Sequence, residues 1–293
     1  MAGWDDILKE LGETPSQTDF LRRKFLEELS DYTGRVTIAY YSAFLNNRGE
    51  NLDVNDSDME GFMNAVRGVD CSKGLDLILH TPGGDPTAAE AIVNYLKDKF
   101  NKDIRVIVPQ IAMSAGTMMA CSAKEIIMGK QSCLGPIDPQ FSGIPAHNIK
   151  QEFEEAKADL ATNPQNTQYW AIKLQQYPAA FLKTALDAIA LSDELIRTWL
   201  SDVMLRNNQT LVDDAVRFLS SHEDSKVHAR HYRYEECREH GLKITLMEDD
   251  DKLQDLILSV HHSFLIAFQN SNALKIISNN NKKDYIVGRY RRE

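Results

Sequence analysis

The sequence predicts an α/β fold: a mainly parallel sheet with crossover helices, followed by a helical second half. Three observations carry that expectation. Short apolar runs alternate with helical stretches through residues 35–128, the pattern of strands crossed by helices. Two of those runs end in turns of small residues, at Gly83-Gly84 and around Ser114. From residue 149 onward, long stretches keep apolar residues at helical spacing.

Residues 1–34 read as a helical arm, with Phe20, Leu21, Phe25 and Leu29 recurring between charges until Thr33-Gly34 ends it. Residues 35–41 are β-branched and aromatic, a strand. Residues 46–58 are rich in Asn and Asp, a loop, and a helix spans 58–66. Residues 75–80 form a nearly continuous apolar strand that runs into TPGGDP. The helix that follows, 87–100, has Thr87 as its N-cap and Glu90 completing a capping box. A second buried strand spans 104–108, a small-residue helix 111–122 and a short strand 126–128. Residues 134–139 are turn-rich. Helices at 149–160, 169–174, 178–205 and 212–219 follow, then a short helix stopped by Gly241, a strand at 244–246 and a helix at 253–268. From Ser278 the chain turns polar and basic, a tail that is loosely ordered or docked on a neighbour. The expected division is an arm at 1–34, a main domain at 35–250, and a C-terminal helix with a basic tail at 251–293.

Composition narrows the function classes. The 33 basic and 43 acidic residues leave a net charge of −10, which argues against a nucleic-acid partner. No run approaches 18 apolar residues, so no membrane span is expected. The first residues lack the basic and apolar regions of a secretion signal, and the four cysteines show no paired spacing. Reduced thiols in a cytoplasmic protein follow from this.

Two segments carry chemistry: TPGGD at 81–85 and AMSAGTMMA at 112–120. Glycines after a strand let the backbone turn sharply and present N–H groups to a substrate carbonyl. Ser114 sits among small residues where a chain can approach closely, and the start of a helix there favours developing negative charge. The N–H groups of Gly83 and Ala115 would then bracket one oxyanion. The motifs stand 30 residues apart, about one βαβ unit.

This pairing resembles the Clp-protease/crotonase superfamily, and most closely its SppA-like branch, the serine dehydrogenase proteinase (SDH-type) family. Supporting segments are Thr33-Gly34-Arg35, Ala39-Tyr40-Tyr41-Ser42, Leu134 to Gln140 and Glu235 to Leu242. The resemblance implies a ClpP/crotonase-like spiral of ββα units with a helical C-terminal half. It implies a serine peptidase with Ser114 as nucleophile, and Gly83, Gly84 and Ala115 at the oxyanion hole. No cofactor or metal is implied. Peptides or unfolded proteins are the implied substrates, bound by β-augmentation beside the glycine pair in a homo-oligomer. Thr81 stands where the family's S-P-G-G turn has serine.

The general base is less determined. The position of the Clp histidine falls near Ile137-Asp138, and that of the Clp aspartate near His228-Ala229-Arg230, so the Clp triad is not expected. SppA-like enzymes use a Ser-Lys dyad, which implies Lys157, ahead of Lys150; His147 and Asp138 are further candidates. A lysine base needs desolvation or a nearby positive charge. Two other readings stand beside the peptidase: a crotonase-type enzyme acting on acyl thioesters, and an inactive scaffold of the same fold. His222, His228 and His231 read as a histidine cluster rather than a zinc site, His80 as packing beside the cleft, residues 248–251 as a solvated acidic stretch, and Met113, Met118 and Met119 as core.

Overall fold

The structure, a computed structural model, describes residues 16–47, 51–221 and 227–288. The expected arm before residue 16, His222 and the last basic residues of the tail lie outside them. Helix α1 (Ser16–Thr33) precedes β1 (Val36–Ser42); α2 (Asp58–Val66) leads to β2 (Leu75–His80), α3 (Pro86–Lys99) and β3 (Ile104–Val108). Then come β4 (Ile111–Ala112), α4 (Ala115–Cys121), β5 (Glu125–Met128), β6 (Cys133–Leu134), and the hairpin of β7 (Gln140–Phe141) and β8 (Ile144–Pro145). A helical block follows: α5 (Ala146–Thr162), α6 (Thr167–Leu174), α7 (Phe181–Trp199) and α8 (Gln209–Ser220). The chain closes with α9 (Tyr234–Glu239), β9 (Ile244–Leu246), α10 (Asp251–Gln269), β10 (Ala273–Asn279) and β11 (Asp284–Gly288).

The central sheet runs β11-β10-β1-β2-β3-β5-β9. β1, β2, β3, β5 and β9 are parallel, in registers such as Ile38↔Leu77, Leu77↔Val106 and Ile126↔Ile244. All six residues of β2 are buried, as a strand covered on both faces must be. Asp76 is the exception in character: it is fully buried, yet it accepts from Arg35 Nε and Arg105 Nε, both at 2.8 Å. α1 and α10 pack together over one face, where Leu26, Leu29, Tyr41, Ile257 and Phe264 meet. α3, α4 and the end of α7 cover the other.

Three expectations need correction. The N-cap of α3 is Asp85, whose carboxylate accepts from Thr87 N–H, with Pro86 opening the helix where its missing N–H costs nothing. The tail is ordered well past Ser278: β10 pairs antiparallel with β1 and is buried along its whole length. Its polar residues hid this, but each has a partner inside, Lys275 on Asp58, Ser278 on Asp284 and Asn279 on the Ala65 carbonyl. The acidic stretch is a helix cap as well: Asp250 accepts from the N–H groups of Lys252 and Leu253.

A second, smaller set of strands positions the site. β4 and β6 pair in parallel, Ile111↔Cys133 and Ala112↔Leu134. Thr81 bridges to Ala112 on one side, and Leu134 bridges antiparallel to Tyr232 on the other. Segments 81, 111–112, 133–134 and 232 therefore lie side by side, the first three parallel and the last running against them.

Candidate active site

The TPGG turn is fastened to the serine segment by main-chain bonds. Thr81 N–H donates to the Ile111 carbonyl, and Met113 N–H donates to the Thr81 carbonyl, both at 3.1 Å. Two residues beyond the bridge on each chain come Gly83 and Ser114. They touch: a Cβ on Gly83 would stand 2.6 Å from Ser114 Cβ and from the Met113 carbonyl oxygen, and 3.0 Å from Ala115 N. Only glycine permits this approach, and its φ of +99° demands glycine independently. Gly83, Ser114 and the Ala115 amide thus lie together.

Ser114 is half-buried at the mouth of α4, with φ 49° and ψ −119°. That backbone region costs a non-glycine residue about 1–3 kcal/mol and is tolerated where the surroundings enforce it. Its Oγ makes no hydrogen bond among the described residues. Replacing Ser114 by Gly should therefore raise the unfolding free energy by about 1 kcal/mol net of glycine's extra chain entropy, seen as a higher urea midpoint, while Ser114→Ala should not. A lower midpoint for the glycine variant would show that the conformation is not strained.

The amides sort themselves by their partners. Gly83 N–H donates to Thr81 Oγ1 at 3.2 Å, so the threonine in place of serine holds the turn. Among the described residues, Gly84 N–H and Ala115 N–H donate to nothing. This shifts the free donor of the turn from Gly83 to Gly84. Gly84, at φ +149°, also has a neighbour that the sequence did not announce. Val54 N–H donates to the Gly83 carbonyl at 2.7 Å, and Asp85 N–H donates to the Val54 carbonyl at 2.9 Å. The strand-pairing groups on that side of the turn are already taken.

The lysines lie elsewhere. Lys157 is exposed on α5 and makes no hydrogen bond or ion pair among the described residues. Lys150, on the same helix, is paired with Glu154 at 3.9 Å. Water thus solvates Lys157, and the desolvation that a lysine base requires is not supplied within the described chain. His147 stands in the first turn of α5. Asp138, by contrast, is fully buried. Its Oδ1 lies 2.6 Å from His228 Nδ1, and its Oδ2 accepts from Gln140 Nε2 at 2.8 Å. Sequence reasoning passed over this pair because the two residue types stand in each other's expected places, 90 positions apart. That exchange was the available signal.

The remaining nucleophiles are quiet. Cys121 and Cys133 are buried, and burial pushes their thiols up to about 12 and about 11, far from thiolate at neutral pH. Met113, Met118 and Met119 are buried, as expected. His80 is fully buried and belongs to the core. Among the described residues no group of three potential metal ligands occurs, and no helix is long and apolar enough to cross a membrane.

Comparison with known proteins finds similarity over the part of the chain that carries these motifs. Residues 50–166, less than half of the chain, match the ClpP-like SDH-type serine proteinases. An uncharacterized protein of Methanocaldococcus jannaschii is 44% identical over 104 residues, 36% of this chain and 36% of that protein. A second from the same organism is 42% identical over 96 residues, 33% of this chain and 32% of that protein. The chain thus spans about a third of the length of the curated relatives it matches. The matched segment contains the glycine turn, Ser114 and Asp138, and the ClpP-like SDH-type serine proteinases that it resembles are the family to which the motifs also point.

Proposed function

We propose that this protein is a serine peptidase that cleaves peptide bonds through an acyl-enzyme. The observation that supports the reading is the contact of Gly83 with Ser114 and the Ala115 amide, which brings the serine segment against the glycine turn. Ser114 Oγ attacks the scissile carbonyl, and Gly84 and Ala115 N–H hold the oxyanion, each such donor being worth about 3 kcal/mol. Gly83 gives the turn its closeness to the serine. A substrate strand adds on the side away from Val54, because Val54 occupies the other. Lys157, the dyad partner that the SppA-like resemblance implies, enters this reading only if a second copy of the chain covers it. In the same reading the protein works without a cofactor, as a homo-oligomer, on peptides or unfolded chains in the cytoplasm.

The test is covalent labelling with a fluorophosphonate, followed by peptide mapping. Label on Ser114, absent from Ser114→Ala, is the expected result. No label together with tight acyl-CoA binding would favour a thioester enzyme, and neither signal would leave an inactive scaffold. Full labelling of Lys157→Ala would retire the lysine.

A further inference from the structure

We infer that His228, oriented by Asp138, is the proton acceptor for Ser114. This deepens the peptidase reading and rests on it. Register is the first argument. Gly83 and Ser114 each lie two residues beyond their bridge positions, Thr81 and Ala112. Asp138 lies four residues beyond Leu134, which pairs in parallel with Ala112. His228 lies four residues before Tyr232, and Tyr232 runs antiparallel to Leu134, so it emerges at the same end. The 2.6 Å contact between Asp138 and His228 fits that register, four residues from the bridge on each chain. One end of the small sheet thus gathers the glycine turn, the serine and this pair.

Chemistry is the second argument. Both Asp138 oxygens are engaged, one by His228 and the other by Gln140, and the carboxylate is sealed from water. A carboxylate at Nδ1 selects the tautomer with the proton on Nδ1 and the lone pair on Nε2. Nε2 has no partner among the described residues, and the His228 side chain is 30% exposed, so it can be reached. Lys157 and Lys150 offer no comparable orientation. The chain order becomes Ser, Asp, His, an order that other hydrolase folds use for the same roles.

In the reaction, His228 Nε2 takes the Ser114 Oγ proton as the Oγ–C bond forms and the carbonyl π pair moves onto oxygen. The imidazolium returns that proton to the leaving amine nitrogen as the C–N bond breaks. Water then repeats the sequence on the acyl-enzyme, and the Asp138 contact at Nδ1 steadies the imidazolium.

The experiment measures the rate of fluorophosphonate labelling at Ser114 in the full chain, with a thermal melt of each variant. His228→Gln, which keeps a donor for Asp138, and His228→Ala should both label about 100-fold more slowly or worse. Exogenous imidazole should restore part of the rate to the alanine variant, which a purely structural role would not allow. A His228→Gln rate within about threefold of wild type would overturn the inference. If that variant melts lower, Asp138→Asn decides in its place: slow labelling supports the pair and wild-type labelling overturns it. Absence of label on wild-type Ser114 is a separate result, and it removes the peptidase reading itself.

Discussion

Lys275→Met should destabilise the protein by about 3–5 kcal/mol, because it strands a charge in the interior. Lys275 is 1% exposed and Asp58 is 0% exposed, and they form a direct ion pair. Asp58 also accepts from Tyr40 Oη at 2.9 Å and from Asn55 N–H at 3.0 Å, while Lys275 Nζ donates to the Asp53 carbonyl at 3.1 Å. Burial first, and the neighbouring Asp58 charge second, push the Tyr40 phenol well above its usual range. Without the ammonium, a buried carboxylate is left with no counter-ion. The double variant Lys275→Met/Asp58→Asn leaves no charge unpaired and should be less damaged than Lys275→Met alone, as read by urea denaturation. Equal damage in the single and double variants would mean that the pair acts only through packing. The effect reaches the site, since this network holds the segment whose Val54 seats the glycine turn.

Mild acid should destabilise the fold through His80. Burial lowers its imidazole to about 4, against an ordinary value of 6.5, despite acceptors at the Ser42 carbonyl and Gln110 Oε1. It is packed against Tyr41, Phe44 and His261, and burial drives His261 in the same direction. The unfolded chain therefore binds these protons first, and stability falls as pH drops below 6.5. At one pKa unit per 1.36 kcal/mol, His80 alone contributes a loss of about 2 kcal/mol by pH 5 and about 3 kcal/mol by pH 4. Urea midpoints between pH 7 and pH 4 measure this, and His80→Gln should flatten the curve. An unchanged slope in that variant would assign the acid sensitivity to other groups.

Much of this molecule was legible from the chain because its parallel strands are buried on both faces. A strand such as β2 must then read as an unbroken apolar run, and the turn after it must be made of residues without side chains to clash. Strand, glycine turn and serine segment are local facts, and local facts are written in sequence. The tail was misread for the converse reason. β10 carries Lys275, Ser278 and Asn279 inward, and nothing near them in the chain reveals that Asp58, Asp284 and the Ala65 carbonyl wait there.

The sequence alone determined the alternation of elements, the two motifs and hence the family resemblance, since spacing and residue type suffice for those. Only the tertiary structure decided which groups meet: that Gly83 touches Ser114, that Val54 fills one edge of the turn, that Lys157 is solvated, and that Asp138 finds His228 across 90 residues. The physical reason is one of range. Strand and turn preferences act over a few residues, whereas partners for buried polar groups are chosen by register between chain segments that are neighbours only once the sheets have formed.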